Sequence, residues 1–137
     1  MLYIPLSSSK FCEKQNMSSR EWIFRIQDIL RAIDKIERFS KNMTLSQFKK
    51  NELVIDAVVR NLEIIGEASK NIPTSVRHAH ADIPWEQMCG MRNILIHEYF
   101  GIDVKIVWHT VKKSLPDLRK QLKKLFEETN TPRRGRG

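Results

Sequence analysis

Apolar residues recur at Trp22, Ile23, Ile26, Ile29, Leu30, Ile33 and Ile36 with charged residues between them. That is the spacing of one helix face sustained over about five turns. Just ahead of it, Ser18-x-x-Glu21 has the form of a capping box, and Thr44-x-x-Gln47 repeats the signature before a short turn with Leu45 and Phe48. The most apolar stretch runs from Asn51 to Lys70, and a length of about twenty residues predicts a helix rather than a buried strand. Its polar exceptions, Asp56, Arg60, Glu63 and Glu67, fall at i, i+4, i+7 and i+11, one stripe of that helix. Such a stripe faces a cleft or a partner, or else forms a self-satisfied ladder of ion pairs on a solvent face.

Pro73 ends this helix, and residues 74–83 read as a polar loop with His78 and His80 at the surface. Their i, i+2 spacing, without a nearby Cys or acidic cluster, does not make a metal site. Pro84 suits a first helical position, so Trp85 to about His97 is predicted helical. Gly101 breaks that helix and Asp103 caps the last one, which carries Val104, Val107, Trp108, Val111, Leu115, Leu118, Leu122 and Leu125. Pro116 is expected to kink or interrupt it near Ser114. Trp22, Trp85 and Trp108 occupy apolar helical positions and read as core. With neither a strand pattern nor an internal repeat, the prediction is all-α: an up-down bundle of four main helices with short extra turns.

A chain of 137 residues that is 41% hydrophobic has room for one ordinary domain and is not wholly disordered. We place that domain at 17–128. Residues 1–16 read as a loose extension or the product of an upstream start codon, and 129–137 as a basic tail. Nothing approaches a membrane-spanning run, and Met1 to Leu6 lacks the features of a signal peptide. Cys12 and Cys89 form no disulfide framework and read as free thiols of a cytoplasmic protein. Net charge is +8, and residues 103–137 hold ten basic against four acidic residues, +6 of that total. A surface of this kind attracts polyanions.

Reactive side chains concentrate in Met91-Arg92-Asn93-Ile94-Leu95-Ile96-His97-Glu98-Tyr99-Phe100-Gly101. Arg92 and His97, five apart, lie about 140° apart on an ideal helix, whereas Asn93 and His97 stack. Arg92 converges with His97 only if the last turn is distorted or if two copies meet. Without a carboxylate cluster, Arg and His suit metal-free phosphodiester chemistry. A guanidinium binds phosphate bidentately and steadies developing negative charge, while an imidazole takes or gives a proton near neutral pH. RNA supplies its own nucleophile, the 2′-hydroxyl.

The segment Arg92-x4-His97-x-Tyr99, within the run from Met91 to Asp103, resembles the HepT-like group of the HEPN superfamily. Arg25-Ile26-x-x-Ile29-Leu30-x-Ala32-Ile33-x-Lys35-Ile36-Glu37 is similar to its first helix. Asp56-Ala57-Val58-x-Arg60-Asn61-Leu62-x-Ile64-Ile65-Gly66-Glu67-Ala68 is similar to its central one, and Ile83-Pro84-Trp85 and Val107-Trp108 follow in order. The likeness covers about Arg20 to Leu125. It implies a HEPN-like helical toxin that cleaves RNA without metal or cofactor, and a homodimer whose two Arg-x4-His segments line a basic cleft. It also implies neutralisation by a minimal nucleotidyltransferase antitoxin of a type VII toxin-antitoxin system. On this resemblance Arg92 holds the scissile phosphate, His97 is the general acid/base, and Tyr99 accepts AMP. Asn93 supports His97 or the phosphate, Glu67 orients His97, and the stripe with Arg60 lies beside the dimer cleft. Two other readings stand beside it. One is a non-catalytic helical adaptor for a nucleotidyltransferase; the other is a nucleic-acid-binding regulator acting through the basic last helix.

Overall fold

The first long helix, α1 (Glu21–Phe39), forms where the apolar period requires it, and Trp22, Ile26, Ile29, Ile33 and Ile36 are buried along one face. The architecture is taken from a computed structural model that describes residues 21–97 and 103–130, the side chains of 92–97 and 130 excepted. The proposed start at Met17, the Ser18 cap, Gly101 and the basic tail after Asn130 lie outside the described residues.

After α1 the chain reverses at Asn42, whose φ of 61° is in the left-handed region that asparagine tolerates. The five-residue α2 (Leu45–Lys49) then opens with the anticipated capping box. Thr44 Oγ1 accepts from Gln47 N at 3.1 Å, and Gln47 Oε1 accepts from Thr44 N at 2.9 Å. A helix this short has little stability of its own; Phe48, fully buried, fixes it to the core. Asn51 caps α3 (Glu52–Lys70) through Val54 N. Its inward face is Val58, Leu62, Ile65 and Ala68, and it packs most extensively against α1 and the later α5. Buried Asn61 and Ser69 donate to the carbonyls one turn back, Ala57 O at 2.9 Å and Ile65 O at 2.7 Å, so neither polar group is left unsatisfied in the core.

Residues 74–83 are not all loop. Thr74–Ala79 forms a short helix, α4, behind Pro73, whose φ of −58° already has a helical value. Arg77 Nε donates to Ile72 O at 3.1 Å and Val76 packs on the core. Without a periodic apolar face, its polar composition conceals the turn. His78 is exposed and His80 half-buried.

Helix α5 spans Trp85–His97. Asp103 then caps α6 (Val104–His109), its carboxylate accepting from Lys105 N at 2.9 Å. The last rod continues through a π-helical turn, Thr110–Ser114, into α7 (Leu115–Asn130). Leu115 N reaches back to Thr110 O, the wider i→i−5 bond of a π turn. The predicted interruption near Ser114 is therefore this turn, immediately before Pro116. Arg119 of α7 ties to α1 through Asp34, 3.1 Å, and Glu37, 3.9 Å, and Gln121 Nε2 donates to Asp82 O at 2.9 Å. Among the described residues the protein is helical, with no strand and no helix long and apolar enough to cross a membrane.

Trp22 and Trp85 are core, as expected. Trp108 is only half-buried: one face of its ring packs on Phe48, centroids 4.9 Å apart, and the Lys112 ammonium sits 4.7 Å from its centroid.

Candidate active site

Helix α5 carries the Arg92-x4-His97 segment, and its base is firmly held. Ile83, Trp85 and Met88 are buried. Trp85 Nε1 donates to His80 O at 3.0 Å and Met88 N to Pro84 O at 3.0 Å. Glu86 in the first turn complements the positive end of the helix. Arg92, Asn93 and His97 occupy the last two turns, with about 7.5 Å of rise between the Arg and His positions. Tyr99, two residues beyond His97, lies outside the described residues, so the backbone locates three of the four segment positions on one helix end.

Cys89 is half-buried on α5. Burial raises its thiol pKa, opposed by Arg77 and Lys70 and reinforced by Glu86 and Glu67. Glu67 and Lys70 stand in the last turn of α3, and Cys89 one turn into α5, which packs extensively on that helix. His97 stands eight residues beyond Cys89, about 12 Å further along the axis.

The ionisable stripe of α3 is on the outside of the fold: Asp56, Arg60 and Glu67 are exposed and Glu63 is half-buried. It does not form a continuous ladder, since Asp56, Arg60 and Glu63 make no ion pair with one another. On the same outer surface Leu53 is 79% exposed, and Ile64 and Ala57 are half-buried. The face thus mixes charge with apolar side chains next to the helix that bears Arg92 and His97. Among the described residues no group of three His, Cys, Asp or Glu stands close enough to hold a metal ion.

The fold and the placement of the segment define a helical HEPN-type domain. The chain belongs to the HepT-like family: the model described as "Ribonuclease HepT-like" matches residues 29–125. A "Probable ribonuclease HepT" of Thermococcus cleftensis is 46% identical over 100 residues, covering 73% of this chain and 91% of that protein. A "Putative RNase" of Methanocaldococcus jannaschii is 43% identical over 103 residues, 75% of this chain and 85% of its own. Another, from Caldanaerobacter subterraneus subsp. tengcongensis, is 40% identical over 75% of this chain and 92% of its own. No solved structure matches the chain.

Proposed function

We propose that this protein is an endoribonuclease toxin of a type VII toxin-antitoxin pair, cleaving RNA without a metal ion. Membership of the HepT-like family carries the reading. The end of α5 gives it a chemical form, because Arg92, Asn93 and His97 share its last two turns.

Arg92 grips the non-bridging oxygens of the scissile phosphate and offsets the charge that builds on them as the reaction proceeds. His97 takes the proton from the 2′-hydroxyl, whose oxygen attacks phosphorus, and a protonated imidazole delivers a proton to the departing 5′-oxygen. The products are a 2′,3′-cyclic phosphate, or the monoester from its hydrolysis, and a 5′-hydroxyl. A homodimer answers the geometric difficulty of the helix wheel: residues about 140° apart on one helix converge when a second copy completes the cleft. It also supplies two imidazoles, one to accept and one to donate. In this reading the mixed outer face of α3, with Arg60, lies beside that cleft, and Asn93 hydrogen-bonds the imidazole or the phosphate.

Silencing follows from the same geometry. An antitoxin nucleotidyltransferase transfers AMP from ATP to the Tyr99 hydroxyl, releasing pyrophosphate. The added bulk and negative charge two residues from His97 then block the cleft and repel RNA phosphates.

The test is cleavage of total cellular RNA in excess chelator by the wild type and by His97→Ala and Arg92→Ala. Activity that survives chelation and drops at least 100-fold in either variant is expected. Undiminished cleavage in His97→Ala refutes the assignment. Co-expression with a minimal nucleotidyltransferase antitoxin should add the mass of one or more AMP groups to the Tyr99 peptide.

A further inference from the structure

The sequence places most of the basic surplus in the last quarter of the chain, and the fold joins the start of that quarter to a second basic run, 41–50. Residues 41–50 and 103–113 together hold six lysines and one aspartate, a net +5 of the chain's +8. The two segments pack against each other: Phe48 of α2 meets Trp108 of α6, and Lys112 lies over the Trp108 ring. Lys41 and Lys112 also line one open cleft of about 250 Å³ between the end of α1 and the π turn. Lys41, Lys49, Lys50, Lys105, Lys112 and Lys113 are all exposed.

Exposed Glu52 borders the patch at the first turn of α3, and two other nearby acids are engaged. Asp103 is spent on the cap of α6, and Glu37, at the edge of the cleft, faces Arg119 at 3.9 Å. The basic residues of α7 differ, because Asp117, Glu127 and Glu128 are interleaved with them. Amid the lysines, Ile106 stands 59% exposed, an apolar contact of the sort that unstacked bases find in single-stranded RNA. Lys112, in the π turn, lies over the Trp108 ring one turn back in the rod.

This surface begins close to the catalytic helix. Asp103 is six positions after His97, so the start of α6 lies within about 22 Å of His97 by chain length alone. We infer that the α2–α6 surface, centred on Lys49, Lys50, Lys105 and Lys113, is an exosite that tracks the phosphate backbone of single-stranded RNA leading to the α5 segment. The inference rests on the ribonuclease reading, and it goes further by naming where the strand is held away from the reacting bond.

Binding is measured by fluorescence anisotropy with an unstructured RNA oligonucleotide, on full-length protein carrying His97→Ala so that the strand survives. A patch variant, Lys49→Gln, Lys50→Gln, Lys105→Gln and Lys113→Gln, is compared with a control of equal charge, Lys35→Gln, Lys120→Gln, Lys123→Gln and Lys124→Gln. Circular dichroism confirms that both fold. Four lost phosphate contacts flatten the dependence of log affinity on log salt by about 2.8. The unsubstituted surface should therefore lose roughly 50-fold more affinity than the patch variant between 50 and 200 mM salt, with the control close to the former. Equal slopes for patch and control overturn the inference. If RNA is cleaved by the His97-intact chain while the patch slope is unaltered, only the exosite fails. If RNA is neither cleaved nor bound, the ribonuclease reading fails with it.

Discussion

Phe48→Ala is the substitution whose consequence can be worked most directly from the packing. Phe48 is fully buried, and it is the sole buried residue of a five-residue helix otherwise held by its capping box. An aromatic ring of this kind removes about 150–250 Å² from water, which at about 25 cal/mol per Å² amounts to roughly 4–6 kcal/mol. Measured truncations of buried phenylalanine cluster at about 3–5 kcal/mol because the surroundings partly collapse. We expect that lower range here, with about 0.5–1.5 kcal/mol of it from the tilted contact with Trp108.

Against a typical domain stability of about 5–15 kcal/mol this is a large share, so Phe48→Ala should sit near the edge of folding at physiological temperature. Urea denaturation measures it. With a slope of about 2 kcal/mol per molar, the midpoint should fall by about 1.5–2.5 M. Two comparisons isolate the cause: Phe48→Leu should lose less than about 1.5 kcal/mol, and Thr44→Ala, which removes only the cap, about 1 kcal/mol. A loss under about 1 kcal/mol in Phe48→Ala, or one equal to that of Phe48→Leu, refutes the argument that this ring docks α2 to the last rod.

Gly90 lies inside α5, and a Cβ added there meets nothing within 4 Å. Gly90→Ala should stabilise the protein by about 0.5–1 kcal/mol and raise the melting temperature by about 2–5 °C; a fall in calorimetry refutes it. Burial raises the Cys89 pKa, so in Cys12→Ser protein the alkylation rate should reach its midpoint at higher pH than for a free thiol. The sign of the linkage follows. The protonated form is favoured in the fold, so its contribution is complete below the ordinary thiol value and is lost as pH rises through the raised one. A midpoint at or below that of glutathione sinks the claim.

The frame of the bundle was legible in the sequence because each long helix announces itself twice, by period and by punctuation. In α3 the apolar run could be weighed against a strand by length, and Asn51 supplies the cap. Thr44 and Asp103 were readable as caps for the same reason: a short polar side chain at a helix start has few other local roles. Helix α4 escaped notice because Thr74-Ser75-Val76-Arg77-His78-Ala79 carries only one apolar position that touches the core. Its helix depends on Pro73 and on a tertiary hydrogen bond from Arg77, neither of which shows in periodicity.

The site divides along the same line. The candidate chemistry rests on a local string, Arg92-x4-His97-x-Tyr99, and the helix that bears Arg92 and His97 was predicted from Pro84 at its start. Its surroundings were not, since they depend on which elements meet. The sequence spreads charge along a line and credits the final helix with the basic character. Packing joins α2, with Lys49 and Lys50 just after Phe48, to α6, with Lys105 and Lys112 to either side of Trp108 in the chain, through one aromatic contact between residues sixty apart. The available signal was the lack of any acid from Lys41 to Lys50, but without the Phe48–Trp108 contact nothing joined that run to Asp103–Lys113. A charge patch is a property of the assembled surface. The substitution that loosens α2, Phe48→Ala, should therefore also flatten the salt dependence of RNA binding while leaving all six lysines in place.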